Sequence, residues 1–240
     1  FNHMAFSLKE KIESEKQLLV EQRKNEEYEK LLSQARFLAL QSQINPHFLF
    51  NTLNSINRTV MLGRREQALT MLDSLSVLLR YNLADAQMPA LLGEELGITE
   101  EYLKIQKMRF SSRLNVDVRH DRKLEQAVTL PRFTLQPLVE NAVIHGLEPK
   151  EEGGTLILDV RKTGNYIRIR ICDNGMGIEK ERLERIRRRL SEKQPERIGV
   201  WNIWQRLSLY TGRDDSLKIM SKKGAGTIVS IYLHRGEEDV

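Results

Sequence analysis

An aspartate followed by two closely spaced glycines, Asp173-Asn174-Gly175-Met176-Gly177, ends the alternating run Ile167-Arg168-Ile169-Arg170-Ile171-Cys172. A carboxylate at a strand end can accept a hydrogen bond from an exocyclic amine such as that of adenine. The glycines let backbone come close to a planar ligand. Upstream, Glu140, Asn141 and His145 interrupt the apolar pattern of Pro137-Leu138-Val139-Glu140-Asn141-Ala142-Val143-Ile144-His145-Gly146. The Asn141 amide oxygen is a neutral hard ligand of the kind magnesium accepts. Nearer the start, His47 and Asn51 lie four residues apart, on one face of a helix. A neutral imidazole nitrogen is a good phosphoryl acceptor. Pro46 removes a helical hydrogen bond beside it and is expected to kink the helix. Gly199, before Val200-Trp201-Asn202 and with Arg206 further along, would leave free N–H groups at a helix N-terminus, an anion site. Gly224-Ala225-Gly226-Thr227 leads into the last strand. Taken singly, the Asp173, Gly199 and Gly226 segments are equally well turns, and Asn141 equally well a bridging amide.

The elements that must position these groups change character along the chain. Residues 5–60 hold one proline and no glycine and are rich in Glu, Lys, Gln and Leu, all strong helix formers. Leu8, Ile12, Leu19, Tyr28, Leu32, Ala35 and Ala39 make a narrow, patchy stripe. So polar a helix needs a partner, and a parallel coiled coil supplies one. Gly63 ends it. A second helix, 65–84, carries Ala68, Leu72, Leu75, Leu78 and Leu79, and two such helices from each of two chains would make a four-helix bundle. Met88-Pro89 breaks the pattern, and a connecting helix is expected over 93–110. Beyond it the periodicity predicts strands at 114–119, 156–160, 166–172, 217–220 and 227–233, with helices at 133–146, 183–190 and 200–211. The fold class is α+β: a long helix and a helical hairpin, then an α/β sandwich.

Composition narrows the function. The net charge of +5 comes from 38 basic and 33 acidic residues that are largely interspersed, which argues against a nucleic-acid partner. Cys172 is the single cysteine, so no internal disulfide is expected, and its place in the alternation predicts a buried strand residue. No apolar run approaches the length of a membrane span. Phe1 to Met4 reads as a cloning remnant, and the chain as a piece of something longer.

In order and spacing, Asn141, then Asp173-x-Gly175-x-Gly177, then Gly199 opening a helix, then Gly226-Thr227 before a strand, resembles the nucleotide-binding (GHKL) fold shared by histidine kinases, type II topoisomerases and related ATPases. The run Gln43-Ile44-Asn45-Pro46-His47-Phe48-Leu49-Phe50-Asn51 resembles the sensor histidine kinases of the LytS and YesM type. The resemblance covers about residues 31–233, and the helix before it resembles the segment leading out of a membrane-proximal HAMP-type domain.

The resemblance implies that the chain uses ATP and magnesium. His47 would be the phosphoacceptor, and Asn141 would bind magnesium bridging the phosphates. Asp173 would hold the adenine amino group, with Gly175 and Gly177 shaping that end of the pocket and Gly226 and Thr227 closing it. Residues 179–197 would form a lid ending at Gly199, with Asn202 in the first turn beyond and the basic stretch 182–189 within it. His145 would approach phosphate, and Asn51 would help remove phosphate from the partner. Phe48 stands where many histidine kinases carry an acidic general base, leaving Glu140 or water as candidates. Ile144 and Arg197 replace a lysine and a glycine common in the family. Related ATPases place a water-activating glutamate at the position of Pro137.

The implied organisation is a signalling helix over 5–30, dimerisation and phosphotransfer helices over 31–88, a connecting helix over 89–111 and a catalytic domain over 112–240. The implied partners are a second copy of the chain and the receiver domain of a response regulator. The implied setting is the cytoplasmic part of a bacterial plasma-membrane sensor, attached through segments upstream. A silent dimeric scaffold and an ATP-hydrolysing machine of the same fold are the competing readings.

Overall fold

The computed structural model describes residues 15–18, 20–23, 46–82, 88–193 and 199–234. The chain divides into two compact units, Phe1–Leu49 and Phe50–Val240. In the first, residues 15–18 and 20–23 are helical and exposed, as the composition predicts. All seven residues of the expected seam, from Leu8 to Ala39, lie outside the described residues. So does the chain before Pro46 on which the expected kink depends.

Helix α1 spans Pro46–Met61 and α2 spans Arg65–Asn82. Between them Gly63 takes φ 72, a left-handed conformation that ends a helix cheaply only at glycine. Ala68, Met71, Leu75 and Leu78 of α2 are buried, whereas Leu72 is 44 % exposed. The buried stripe packs on α3, Leu92–Phe110, whose Leu96, Ile98, Tyr102 and Ile105 are buried. Ser74 Oγ donates to Glu101 Oε2 across this contact at 2.6 Å.

The C-terminal half is built on a five-stranded sheet of order β2-β4-β5-β7-β6. The strands are β2 Leu114–Arg119, β4 Gly154–Thr163, β5 Tyr166–Asp173, β6 Leu217–Lys222 and β7 Gly226–His234. β2 pairs in parallel with β4; every other neighbour is antiparallel. Leu156, Leu158, Ile169, Ile171, Ile219 and Ile231 point to the buried face. The helices that follow bring Leu135, Leu138, Val139 and Val143, and Ile203, Trp204 and Leu207, to the same core. They are α5 Leu135–Asn141, a π-helical segment Ala142–Leu147 and α7 Gly199–Thr211. Helix α6, Lys180–Ser191, is held to β6 by Arg187, whose Nη2 donates to the Ile219 carbonyl at 2.7 Å.

Three elements go beyond the expected set. Strands β1 Pro89–Leu91, where Met88-Pro89 breaks the helical pattern, and β3 Thr129–Pro131 form a short antiparallel ribbon, and α4 spans Arg122–Ala127. The helix expected from residue 133 starts at Leu135, because Phe133 sits at φ 60 and cannot belong to a right-handed helix. Cys172 is half-buried on the sheet's other face, not in the core, and burial pushes its thiol pKa up. Among the described residues no helix is long and apolar enough to cross a membrane.

Candidate functional site

Asp173 is the last residue of β5, directly opposite Thr227 of β7. Its carboxylate is 8 % exposed. Oδ1 accepts the Gly175 N–H at 2.9 Å, closing a tight turn out of the strand. Burial pushes the carboxyl pKa up, and the N–H groups of Gly175 and Thr227 pull it back. Backbone N–H groups thus hold the carboxyl in place at the strand end.

The glycines explain how the backbone closes around it. A Cβ on Gly175 would lie 2.1 Å from the Gly146 carbonyl, and one on Gly226 would lie 1.9 Å from the Asp173 carbonyl. Gly177 takes φ 64, and a Cβ there would meet the Lys222 carbonyl at 2.0 Å. These positions need glycine because backbone packs on backbone. That packing sets the shape of this end of the site. Met176 N–H donates to the Gly146 carbonyl at 2.9 Å, and Ile178 N–H to Ser221 Oγ at 2.8 Å. Ser221 also lies 2.9 Å from Thr227 Oγ1 and donates to the Gly226 carbonyl. This serine, in an otherwise ordinary strand, was not singled out by sequence.

Gly146 is the other residue that sequence reading passed over. A Cβ there would stand 2.7 Å from Asp173 Oδ1. It lies in the π-helical segment that begins immediately after Asn141, where Glu148 N–H reaches back to the Val143 carbonyl. Single π-turns recur at functional sites because the extra residue re-aims neighbouring side chains. One continuous helical element therefore carries Asn141 at one point and touches Asp173 five residues later, roughly 7 Å along a helical axis.

Asn141 faces α7. Its Nδ2 lies 3.9 Å from where a Cβ on Gly199 would be. The α7 N-terminus thus borders the Asn141 amide. Asn202, in the first turn of α7, is exposed, as is His145 on the π-helical segment. Glu140 is half-buried, and its charge helps raise the pKa of the buried Tyr102 phenol of α3, after the larger effect of burial. Arg206 does not serve the anion site: its Nη2 donates to the Phe133 carbonyl at 2.7 Å. Arg187, within the basic helix α6, is committed to β6. The segment expected to form a lid is described as far as residue 193; Arg197 lies outside the described residues.

His47 is exposed on α1, in the first unit, with Asn51 half-buried one turn on. A depression of about 610 Å³ is lined by Ile157, Arg170, Cys172, Met220 and Ile228 and also by Asp173 and Thr227, so it adjoins the strand ends that carry the candidate site.

The residues brought together fit an adenine nucleotide: a buried acceptor between glycine turns at one end, and an amide opposite a helix N-terminus at the other. Two family models match the chain. One, described as histidine kinase, covers residues 35–114, and one described as histidine kinase-, DNA gyrase B- and HSP90-like ATPase covers residues 127–237. The sensor histidine kinase YesM of Bacillus subtilis is 35 % identical over 87 % of this chain and 35 % of its own length. YpdA of Escherichia coli is 33 % identical over 87 % and 36 %. The sensor protein LytS of Oceanobacillus iheyensis is 35 % identical over 88 % and 36 %. The chain spans about a third of the length of these relatives. Both halves of the molecule point the same way: the chain belongs to the sensor histidine kinases of the LytS and YesM type.

Proposed function

We propose that this chain is the catalytic core of a sensor kinase that transfers the γ-phosphoryl group of ATP to His47 and then to an aspartate of a response-regulator receiver domain. The observation that carries the reading is the single helical element that presents Asn141 to the α7 N-terminus and Gly146 to the buried Asp173 carboxylate. Asp173 accepts a hydrogen bond from the adenine amino group, and the Gly226-Thr227 turn closes that side. Asn141 would hold the magnesium that accompanies the phosphates, and when bound that ion would neutralise charge on the phosphoryl group. His145 and Asn202 lie on the elements that border the phosphate end.

In the transfer step a His47 nitrogen forms the N–P bond while the β,γ-anhydride oxygen leaves with ADP. The imidazole proton passes to a base, for which Glu140 and water are the candidates. Positioning and electrostatics supply most of the rate. Asn51, one turn beyond His47, would orient the water that later removes phosphate from the partner. Pro137 in the first turn of α5 offers no carboxylate to activate water directly, which favours transfer over ATP hydrolysis.

The partner for α1 is a second copy. Phe50, Leu53, Val60 and Met61 are 66 %, 45 %, 56 % and 80 % exposed. They fall within about 100° on a helical wheel, an apolar stripe that a symmetric dimer would cover. We place dimerisation and phosphotransfer in residues 31–88 and catalysis in 112–240, joined by residues 89–111, with the whole core on the cytoplasmic side of a membrane sensor.

The reading is tested by incubating the chain with γ-labelled ATP and magnesium. Label that is acid-labile and base-stable supports it. Stable bound ATP without label would favour the silent scaffold, and release of free phosphate without label would favour the ATPase.

A further inference from the structure

Glu95 of α3 is a carboxylate only 1 % exposed. Its two oxygens accept from four donors. Oε1 takes the Phe133 N–H at 2.7 Å and the Tyr81 hydroxyl at 2.5 Å. Oε2 takes the N–H groups of Thr134 and Leu135, each at 2.9 Å. Three of these donors are the amides at the entrance of α5, where the Thr134 side chain makes no cap of its own. A carboxylate there satisfies orphan donors and opposes the positive end of the helix. It is a cap delivered from another element, and α5 is the helix that ends in Asn141.

The peptide at this entrance is gripped from both sides. Phe133 stands at φ 60, a costly conformation outside glycine. Glu95 holds its N–H, and Arg206 holds its carbonyl. Arg206 belongs to α7, whose first residue, Gly199, borders Asn141. The fourth donor has a different origin. Tyr81 lies near the end of α2, in the hairpin that follows His47. Its ring meets that of Phe133 edge-on at 5.2 Å, with the Arg132 guanidinium 4.9 Å from its centroid. Burial and the neighbouring Glu95 charge hold the phenol protonated, so it donates.

We propose that Glu95 is a positioning residue for Asn141, and that Tyr81 makes this position depend on the hairpin. Displacing α2 removes one of the four hydrogen bonds that fix the carboxylate and loosens the start of the Asn141 helix. Because coupling is reciprocal, magnesium nucleotide in the site tightens α2 against α3. The adenine end, held by β5 and β7, does not share this dependence. The inference rests on the nucleotide site proposed above.

The test is the magnesium increment of affinity: the ratio of dissociation constants for a non-hydrolysable ATP analogue without and with magnesium, measured on the full chain. Asn141→Ala should bring the ratio to one. Tyr81→Phe keeps the ring and the cap; it should lower the ratio about fivefold while leaving magnesium-free affinity unchanged. Glu95→Gln sets amide hydrogens against backbone donors and should lower the ratio further. Ser74→Ala disturbs the same α2–α3 contact through Glu101 but touches no part of the carboxylate cluster, and should leave the ratio alone. If Glu95→Gln does not fold, Tyr81→Phe decides. An unchanged ratio in Tyr81→Phe beside a collapsed one in Asn141→Ala overturns the inference and spares the nucleotide site. Equal loss with and without magnesium also overturns it, since that is what simple destabilisation gives. A wild-type ratio of one overturns both.

Discussion

Gly146 leaves room for Asp173: a single methyl group on Gly146 would stand 2.7 Å from the Asp173 carboxylate oxygen and 3.0 Å from its carbon. The space occupied by no side chain there is what lets the π-helical segment lie against the strand end. Gly146→Ala is therefore expected to displace the carboxylate and lower adenine-nucleotide affinity by about tenfold or more, the worth of one charged hydrogen bond. Its melting temperature should fall by only a few degrees. Titration calorimetry and a thermal melt of the same sample check both halves.

Asp173 carries a linked prediction about pH. Its folded pKa is raised by burial, so its contribution to stability is fully present below the ordinary carboxyl value and is lost as pH rises through the folded value. Asp173→Asn lacks that titration. The stability of the variant relative to wild type should therefore improve as pH rises from about 4 to 7, the range around an ordinary carboxyl pKa. Nucleotide binding should be lost throughout. Denaturant titrations at several pH values would show the trend; a difference independent of pH would contradict it.

The glycines should separate into two classes. Gly175→Ala and Gly177→Ala force a Cβ onto a carbonyl at 2.1 Å and 2.0 Å, and each should cost about 2 kcal/mol or more. Gly164 also has a positive φ, but nothing lies within 4 Å, so Gly164→Ala should cost about 1 kcal/mol from backbone strain alone. Chemical denaturation of the three variants makes the comparison.

Much of this arrangement was legible in the sequence, and the reasons differ by element. The alternation of Ile167, Ile169 and Ile171 placed Asp173 at a strand end, and the motif order fixed the nucleotide fold. The end of α1 at Gly63 and of α7 before Gly212 followed from glycine at a left-handed position. The π-turn was not legible, because one extra residue in a helical run leaves the apolar periodicity nearly intact. Strands β1 and β3 have three residues each, too few to show alternation. Parallel pairing of β2 with β4 depends on residues 40 positions apart, as in Leu114 with Gly154. Glu95 did leave a trace: with Thr99 and Gln106 it occupies the buried stripe of α3, where an apolar residue is expected. Of the α2 stripe, Ala68, Leu75 and Leu78 are buried and Leu72 is exposed; its packing on α3 was not legible, since periodicity gives a face and not what covers it.

The exposed apolar stripe of α1 gives a prediction about assembly. Leu53→Glu, alone or with Phe50→Glu, places charge in the face proposed to meet its symmetry mate. At micromolar concentration, sedimentation should report a dimer for wild type and a monomer for the variant, with the catalytic half still binding nucleotide. A wild-type mass equal to one chain would contradict the dimer.

The central claim is that binding and transfer are separate tasks of Asn141 and His47, and one comparison tests it most directly. Wild type, His47→Gln and Asn141→Ala would each be assayed for magnesium-dependent ATP binding and for acid-labile label from γ-labelled ATP. Wild type should do both, His47→Gln should bind ATP as wild type does and take no label, and Asn141→Ala should lose the magnesium dependence and the label together. Label that persists in His47→Gln would contradict the assignment of the acceptor, and full magnesium dependence in Asn141→Ala would contradict the site itself.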